Sequence, residues 1–407
     1  MSQPAAASLL SERRLAFALL LGAVACLGMG QTVTFAILPP IGREMGLGEQ
    51  QVGLIFSVSA LMWVLSSAFW GRLSDRWGRK PVILIGTLGY IVSTTCLILS
   101  INAGLSGAVS LTVAYVLMVA TRSIYGLIGP GIRVASQAYI VDRTTREDRT
   151  VAIAGMAAAF GLGNVIGPGL GAAASIFGLL APLWMIVTLI VCVGVATLLF
   201  LPENSRPGTR SNDVRLPFLD PRIRGYILFG LAVSFVVATP LQTAAFFFID
   251  TLGFNANDAA QFVGVGLSAA AMAALFSQLV IVQRLRPPPF VMMSAGAAIL
   301  LLAQLMMALS THFATMAFAL MLNGLGAGMA LPGYTAGASL AVSNDEQGAI
   351  AGISGAVTAG GFCLVPFINL TLYQWSPSAP YFFDVGLMAL ALVFAFAFRR
   401  RAMSSDQ

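Results

Sequence analysis

Charge is what this sequence has least of. Aspartate, glutamate, lysine and arginine make up 9% of 407 residues, against 58% hydrophobic residues and a mean hydropathy of +0.87. A soluble globule cannot cover its surface with so few charges, so a water-soluble fold is excluded. Histidine occurs once, as His312, and the four cysteines (Cys26, Cys96, Cys192, Cys363) sit in apolar runs without ligand spacing. No metal site is expected from them, and buried thiols are the simpler reading. There is no Walker sequence, no HExxH, no pair of mid-membrane aspartates and no serine–histidine dyad, nor a soluble stretch long enough to hold a catalytic domain. ATP-driven pumping and enzymatic chemistry are therefore not expected, and no cofactor is called for.

What is present is a series of long uncharged runs, beginning with Leu15 to Gly42 and Gln50 to Gly71 and ending with Gln347 to Phe383. A helix needs roughly 20 apolar residues to cross the hydrocarbon core, so the longest runs must each hold two crossings. Turn-prone breaks near 102–107, 175–182, 310–312 and 374–380 divide them, which predicts twelve transmembrane helices. If the helices alternate from a cytoplasmic N-terminus, every lysine and arginine except Arg43, Arg122 and Arg133 falls on the cytoplasmic side. The positive-inside rule then places both termini in the cytoplasm, and the formal charge of +6 reflects topology rather than nucleic-acid binding. Arg13 and Arg14 precede a run of full crossing length, so a cleaved signal peptide is not expected.

The chain also repeats itself. Ala152-Ile153-Ala154-Gly155 opens the fifth helix and Ala349-Ile350-Ala351-Gly352 the eleventh, with Pro168 and Pro366 following at nearly the same offset. Gln51-Val52-Gly53 is echoed by Phe262-Val263-Gly264 at the starts of the second and eighth helices. Such matches at half the chain length predict an all-α membrane protein of two pseudo-symmetric six-helix bundles, 1–201 and 223–407, joined by a proline-rich cytoplasmic linker over 202–222.

Ten residues, Gly71 to Lys80, concentrate five charges and two glycines between two uncharged spans. The pattern Gly71-x-x-x-Asp75-Arg76-x-Gly78-Arg79-Lys80, between the second and third helices, resembles the loop signature of the major facilitator superfamily. Arg122-Ser123-Ile124-Tyr125-Gly126 in the fourth helix is similar to the arginine motif of its proton-coupled members. In the fifth helix, Gly163 to Ala172 resembles the motif of its drug-exporting antiporters, with Ala172 in place of the last glycine. The resemblance implies the major facilitator fold in an inner membrane and alternating access to a midplane site. It also implies proton-coupled export of a small-molecule substrate by a monomer; uptake or facilitated diffusion is the rival, since direction rests on the resemblance alone.

Each motif also has its own physical reading. Glycines in the 71–80 segment permit a tight turn, while Asp75 can face the positive N-terminal end of a neighbouring helix. The resemblance makes that neighbour the eleventh helix, starting near Gly348, and pairs Arg76 with Asp142, so that Gly71, Asp75, Arg76, Gly78, Arg79 and Asp142 form a cytoplasmic gate. The corresponding segment of the second half, Arg284 to Pro289, has neither acid nor glycine, so the gate is one-sided. Gly163, Gly167 and Gly171 recur every four residues and make a smooth stripe for close helix packing, with Pro168 able to bend the helix.

Arginine inside a membrane span is costly and faces a partner or a wet cavity. At about 100° per residue, Arg122 and Arg133 return to within roughly 20° of one face, with Tyr125 between them. Arg133 can alternatively snorkel to the membrane surface. The first helix has no acid between Leu15 and Gly42 and offers Gln31, while Asp250 and Asp384 are expected near the outer ends of the seventh and twelfth helices. A cavity of Arg122, Arg133, Tyr125, Gln31, Gln242, Asn323 and Tyr334 is expected to suit an amphiphilic or anionic organic molecule; Phe246, Phe247 and Phe248 can give it an apolar wall, although three aromatics at a helix end are more often lipid-facing or core.

Overall fold

The computed structural model describes residues 3–144, 149–202, 216–218, 220–343 and 346–405, with side chains over 15–144, 155–202, 216–218, 220–343, 346 and 349–396. Arg13, Arg14, Arg146, Arg149, Arg206, Arg210, Arg215 and Arg399 to Arg401 lie outside the described side chains. So do Gly348 and most of the 202–222 segment. The elements are α1 Gln3–Met45, α2 Glu49–Trp77, α3 Arg79–Leu105, α4 Leu111–Asp142, α5 Arg149–Ala174, α6 Ala181–Phe200, α7 Arg224–Leu252, α8 Ala256–Leu285, α9 Pro289–Leu309, α10 Phe313–Leu340, α11 Gln347–Tyr373 and α12 Ala379–Ser405. Each of the 12 has a segment long and apolar enough to cross a membrane, and the described residues include no strand. Helix is the expected outcome, because in hydrocarbon every backbone amide and carbonyl must find its partner within the segment.

The breaks fall where turn residues cluster, with one difference. Residues 71–77 are not a loop: α2 runs to Trp77, and only Gly78 stands between it and α3. Gly78 has φ 97°, a left-handed value that a side chain resists, so a single residue reverses the chain. Gly71 lies within α2, where helix continuity costs less than opening a charged loop beside the bilayer.

Proline shapes two helices in the same way. In α4, Pro130 has no amide for the carbonyl of Gly126, and the Ser66 hydroxyl donates to that carbonyl at 3.0 Å. In α7, Pro240 leaves the Val236 carbonyl free, and the Gln304 amide of α9 donates to it at 3.1 Å.

The chain divides into two compact units, residues 1–34 with 58–210 and residues 35–57 with 211–407. In the first, the α5 glycine stripe lies on α1: a Cβ on Gly163 would strike the Ala25 carbonyl, and one on Gly167 would come within 2.8 Å of Met29 Cα. Gly126 of α4 similarly abuts the Ser59 carbonyl of α2, and Gly86 of α3 the Ile132 amide of α4. The second unit repeats all three pairings. Gly361 of α11 meets the Phe235 amide of α7, Gly324 of α10 the Ala270 carbonyl of α8, and Gly296 of α9 the Ala330 amide of α10. Small residues at matching crossings in both units are the packing counterpart of the internal repeat.

Candidate functional site

In the first unit, Arg122 is 4% exposed in the membrane-spanning part of α4. Its guanidinium carbon lies 4.4 Å from the centre of the Tyr125 ring, and that ring packs on Tyr90 at 5.1 Å and Trp63 at 5.3 Å. Arg122 Nε is sealed from solvent, with no hydrogen-bond partner among the described residues. Among the described residues, no carboxylate forms an ion pair with Arg122. An aromatic face attracts a cation but does not neutralise it, so the charge remains available to an anion.

The other expected residues separate. Arg133 is exposed and lies 5.0 Å from the Phe160 ring of α5, while still acting electrostatically on Tyr125, the ring that Arg122 touches. Gln31 is half-buried in α1. Gln242, Asn323, Tyr334 and Phe246 belong to the second unit, and two of them are framework. Tyr334 is 1% exposed in a hydrophobic cluster, bonded to the Ser354 carbonyl at 3.1 Å and the Thr358 hydroxyl at 2.9 Å. Phe246, expected as a cavity wall, is fully sealed together with Phe247 and Phe248. All three rings pack on aromatic partners, Tyr373, Tyr381 and Phe313, which hold them in the core rather than against an open face. Gln242 donates to the Phe362 carbonyl at 3.0 Å. Asn323 is buried, and its amide nitrogen has no hydrogen-bond partner among the described residues.

The charged break between α2 and α3 is built around Arg79. Its Nε donates to Asp142 at 2.9 Å, and its Nη1 donates to Asp75 at 2.6 Å and to the Ser74 hydroxyl at 2.7 Å. The expected partner of Asp142 was Arg76, and this is corrected: the Gly78 reversal buries Arg79 at the start of α3, while Arg76 stays exposed on the last turn of α2. His312 is exposed at the residue before α10.

Two clusters escaped the sequence reading, both in the second unit. At one end, Arg43 of α1 donates to Glu49 of α2 at 2.6 Å and to both oxygens of Asp250 of α7 at 3.1 and 3.0 Å. The Tyr373 hydroxyl of α11 donates to Asp250 at 2.7 Å. An arginine apart from the other basic residues, six positions before a glutamate, was the available signal. The other cluster surrounds Asp384, which is wholly buried. The Asn369 amide donates to its Oδ1 at 2.9 Å and to the Thr239 hydroxyl at 2.6 Å. No sequence spacing links these three residues, which come from α12, α11 and α7.

An arginine and an aspartate buried in membrane-length helices are costly there and mark functional positions. The sequence matches the Major Facilitator Superfamily over residues 20–366, and the chain belongs to that family. It is accordingly a multi-pass membrane transporter of small molecules and not an enzyme. Multidrug resistance protein 1 of Bacillus subtilis is 24% identical over 387 residues, covering 93% of this chain and 94% of that protein. The class G tetracycline resistance protein of Vibrio anguillarum is 30% identical over 373 residues, covering 86% of this chain and 89% of that protein. Among solved structures, a bacterial homolog of the human lysosomal transporter Spinster has a TM-score of 0.75 at 15% identity, covering 98% of each chain. The human organic anion transporter MFSD10 (TETRAN) has a TM-score of 0.67 at 18% identity, covering 94% of this chain and 99% of its own. At these identities the structural likeness speaks for the fold alone.

Proposed function

We propose that the chain exports an amphiphilic or anionic small organic molecule across the inner membrane by proton-coupled alternating access, working as a monomer with both termini in the cytoplasm. The observation that carries the substrate class is Arg122. Arginine keeps its charge in any protein environment, and burying an unpaired charge is unfavourable unless a partner arrives. An anionic group on the substrate is that partner, with Tyr125 and Tyr90 offering flat aromatic surface to its organic body. The direction of transport is supported by the efflux relatives, and the cytoplasmic side by the distribution of arginine. In this reading the Arg79 hub with Asp75 and Asp142 is the cytoplasmic gate, and the close α1–α5 crossing keeps those helices moving together.

The test is flux in proteoliposomes of three probes of different charge: anionic carboxyfluorescein, zwitterionic tetracycline and cationic ethidium. An inside-acidic or inside-alkaline gradient is imposed in turn. Accumulation of the anionic or zwitterionic probe against the proton gradient, lost in Arg122→Gln, is the expected result. Preferential transport of ethidium that survives Arg122→Gln overturns the anion reading. Flux indifferent to the gradient overturns proton coupling.

A further inference from the structure

Asp384 is buried completely, five residues into α12, and no cation is paired with it among the described residues. α9 carries no ionisable side chain. On α7 the ionisable groups are Arg224 and Tyr226 near the start and Asp250 at the far end. Those on α11 are Cys363 and Tyr373, and Tyr373 is bonded to Asp250. On its own helix Tyr381 shares a hydrogen bond of 2.9 Å with the Thr243 hydroxyl. Among the described residues, the hydrogen-bond partner of the Asp384 carboxyl is therefore neutral.

Asn369 donates to Asp384 Oδ1, but Asp384 Oδ2 and Asn369 Oδ1 are both sealed with no hydrogen-bond partner among the described residues. Both atoms are acceptors on residues already joined side by side, and buried acceptors are rarely left unpaired. A hydrogen on Oδ2 is what a carboxyl–carboxamide pair needs to close into a ring with two hydrogen bonds.

The site also adjoins a weak point in the backbone. Thr239, which accepts from Asn369, directly precedes Pro240, where the α7 ladder is interrupted and Gln304 fills the vacant carbonyl. Some three turns further on, the same helix presents Asp250 to Arg43. Helix 7 thus connects the buried acid to the ionic cluster at its end through a segment that can bend.

We propose that Asp384 is the residue that carries the coupling proton, bound on Oδ2 in this conformation and released when α7, α11 and α12 part enough to admit water. The inference rests on the proton-coupled reading given above. Binding forms one O–H bond with a proton taken from water on one side; release breaks it and returns the proton to water on the other, leaving a carboxylate. Because the closed pocket accepts only the neutral acid, the conformational equilibrium must respond to pH: alkaline conditions favour the open arrangement by mass action.

The experiment uses the full-length protein in phosphatidylethanolamine–phosphatidylglycerol vesicles. Infrared difference spectra of wild type against Asp384→Asn are expected to show a protonated-carboxyl stretch at neutral pH that declines reversibly in alkali and is missing from the variant. The variant keeps the wild-type melting temperature, because asparagine can make the same paired hydrogen bonds. A spectrum without that band means an ionised Asp384 and overturns the proposal; a band constant at every pH means a permanently neutral framework acid and also overturns it. Should Asp384→Asn not reconstitute, Asn369→Ala must move the band to higher wavenumber by weakening its hydrogen bond, and an unmoved band is again fatal. In flux measurements with tetracycline and carboxyfluorescein, Asp384→Asn loses the gradient-driven part and retains downhill exchange. Full gradient stimulation in the variant refutes Asp384 alone, whereas a wild type blind to the gradient refutes the proton-coupled reading itself.

Discussion

Arg122 in the first unit and Asp384 in the second are opposite solutions to one problem. Each is a titratable side chain sealed in a membrane helix with no opposite charge bonded to it among the described residues. The aspartate can become neutral by accepting a proton. The arginine cannot lose its charge at any accessible pH and is neutralised only by an anion from elsewhere. Arg122 accordingly rests against an aromatic face that tolerates a cation, whereas Asp384 is sealed from water beside a carboxamide that brings no charge. Under the proposed cycle, the difference assigns solute to one unit and proton to the other.

The comparison breaks most sharply at Arg122. Arg122→Gln is expected to reduce transport of an anionic probe by about 100-fold, the loss of roughly 3 kcal/mol of interaction with a desolvated charge. Its melting temperature should hold or rise, since a buried charge without its partner destabilises the empty protein. Unchanged anion flux would remove the asymmetry. Asp384→Asn comes next, with gradient-driven transport lost and the fold intact. Asn369→Ala follows: deleting the amide that faces Asp384 should cost about 1–3 kcal/mol in unfolding measurements, and a stability equal to wild type would show that the pair is not a unit.

A smaller effect is expected at Tyr125. Tyr125→Leu removes the ring under the guanidinium, a loss of about 1–2 kcal/mol at a buried site, whereas Tyr125→Phe keeps it; equal thermal stability of the two variants would show that the aromatic contact does not hold Arg122.

The smallest effect lies in the exterior pair of Arg222 with Glu346, joined at 2.8 and 3.1 Å, with Asp220 also on Arg222. Hydrogen bonds from Arg222 and Ser343 hold the Glu346 carboxyl down at about 2 from its ordinary 4.5. A carboxyl lowered on folding stabilises the protein above its unfolded value, so this contribution is present above pH 4.5 and fades as the pH falls through about 2. Glu346→Gln should flatten that part of the acid-unfolding curve and leave transport unchanged. A transport defect would mean that paired charges at helix ends matter as much as the unpaired ones within.

The fold was legible because it rests on a coarse quantity, the length of uncharged runs, to which single residues contribute little. The glycine stripe at Gly163, Gly167 and Gly171 announced a close crossing, but only the structure supplied the partner, α1. Arg79 was missed as the holder of Asp142 because a shift of three positions across Gly78 depends on one backbone angle. Phe246 to Phe248 were open between a cavity wall and the commoner core or lipid-facing role, since three aromatics in a row point in several directions around a helix. Asp384 was passed over for a related reason. Its position near a helix start suggests contact with water, and only the arrival of Asn369 and Thr239 from distant helices closes the pocket. Arg122 needed no such help, because an arginine in mid-span is conspicuous at the level of composition.

The Arg43 cluster carries one further consequence. Its arginine and aspartate are partly open to solvent, with side-chain exposures of 34% and 25%, and it joins α1 and α2 to α7 and α11. Ions in the adjoining solution therefore reach it, and at 1 M salt a charge is felt over only about 3 Å. A transport cycle that separates these helices would run at a pace set partly by the salinity of the compartment it faces, with brine loosening the clasp and fresh water tightening it.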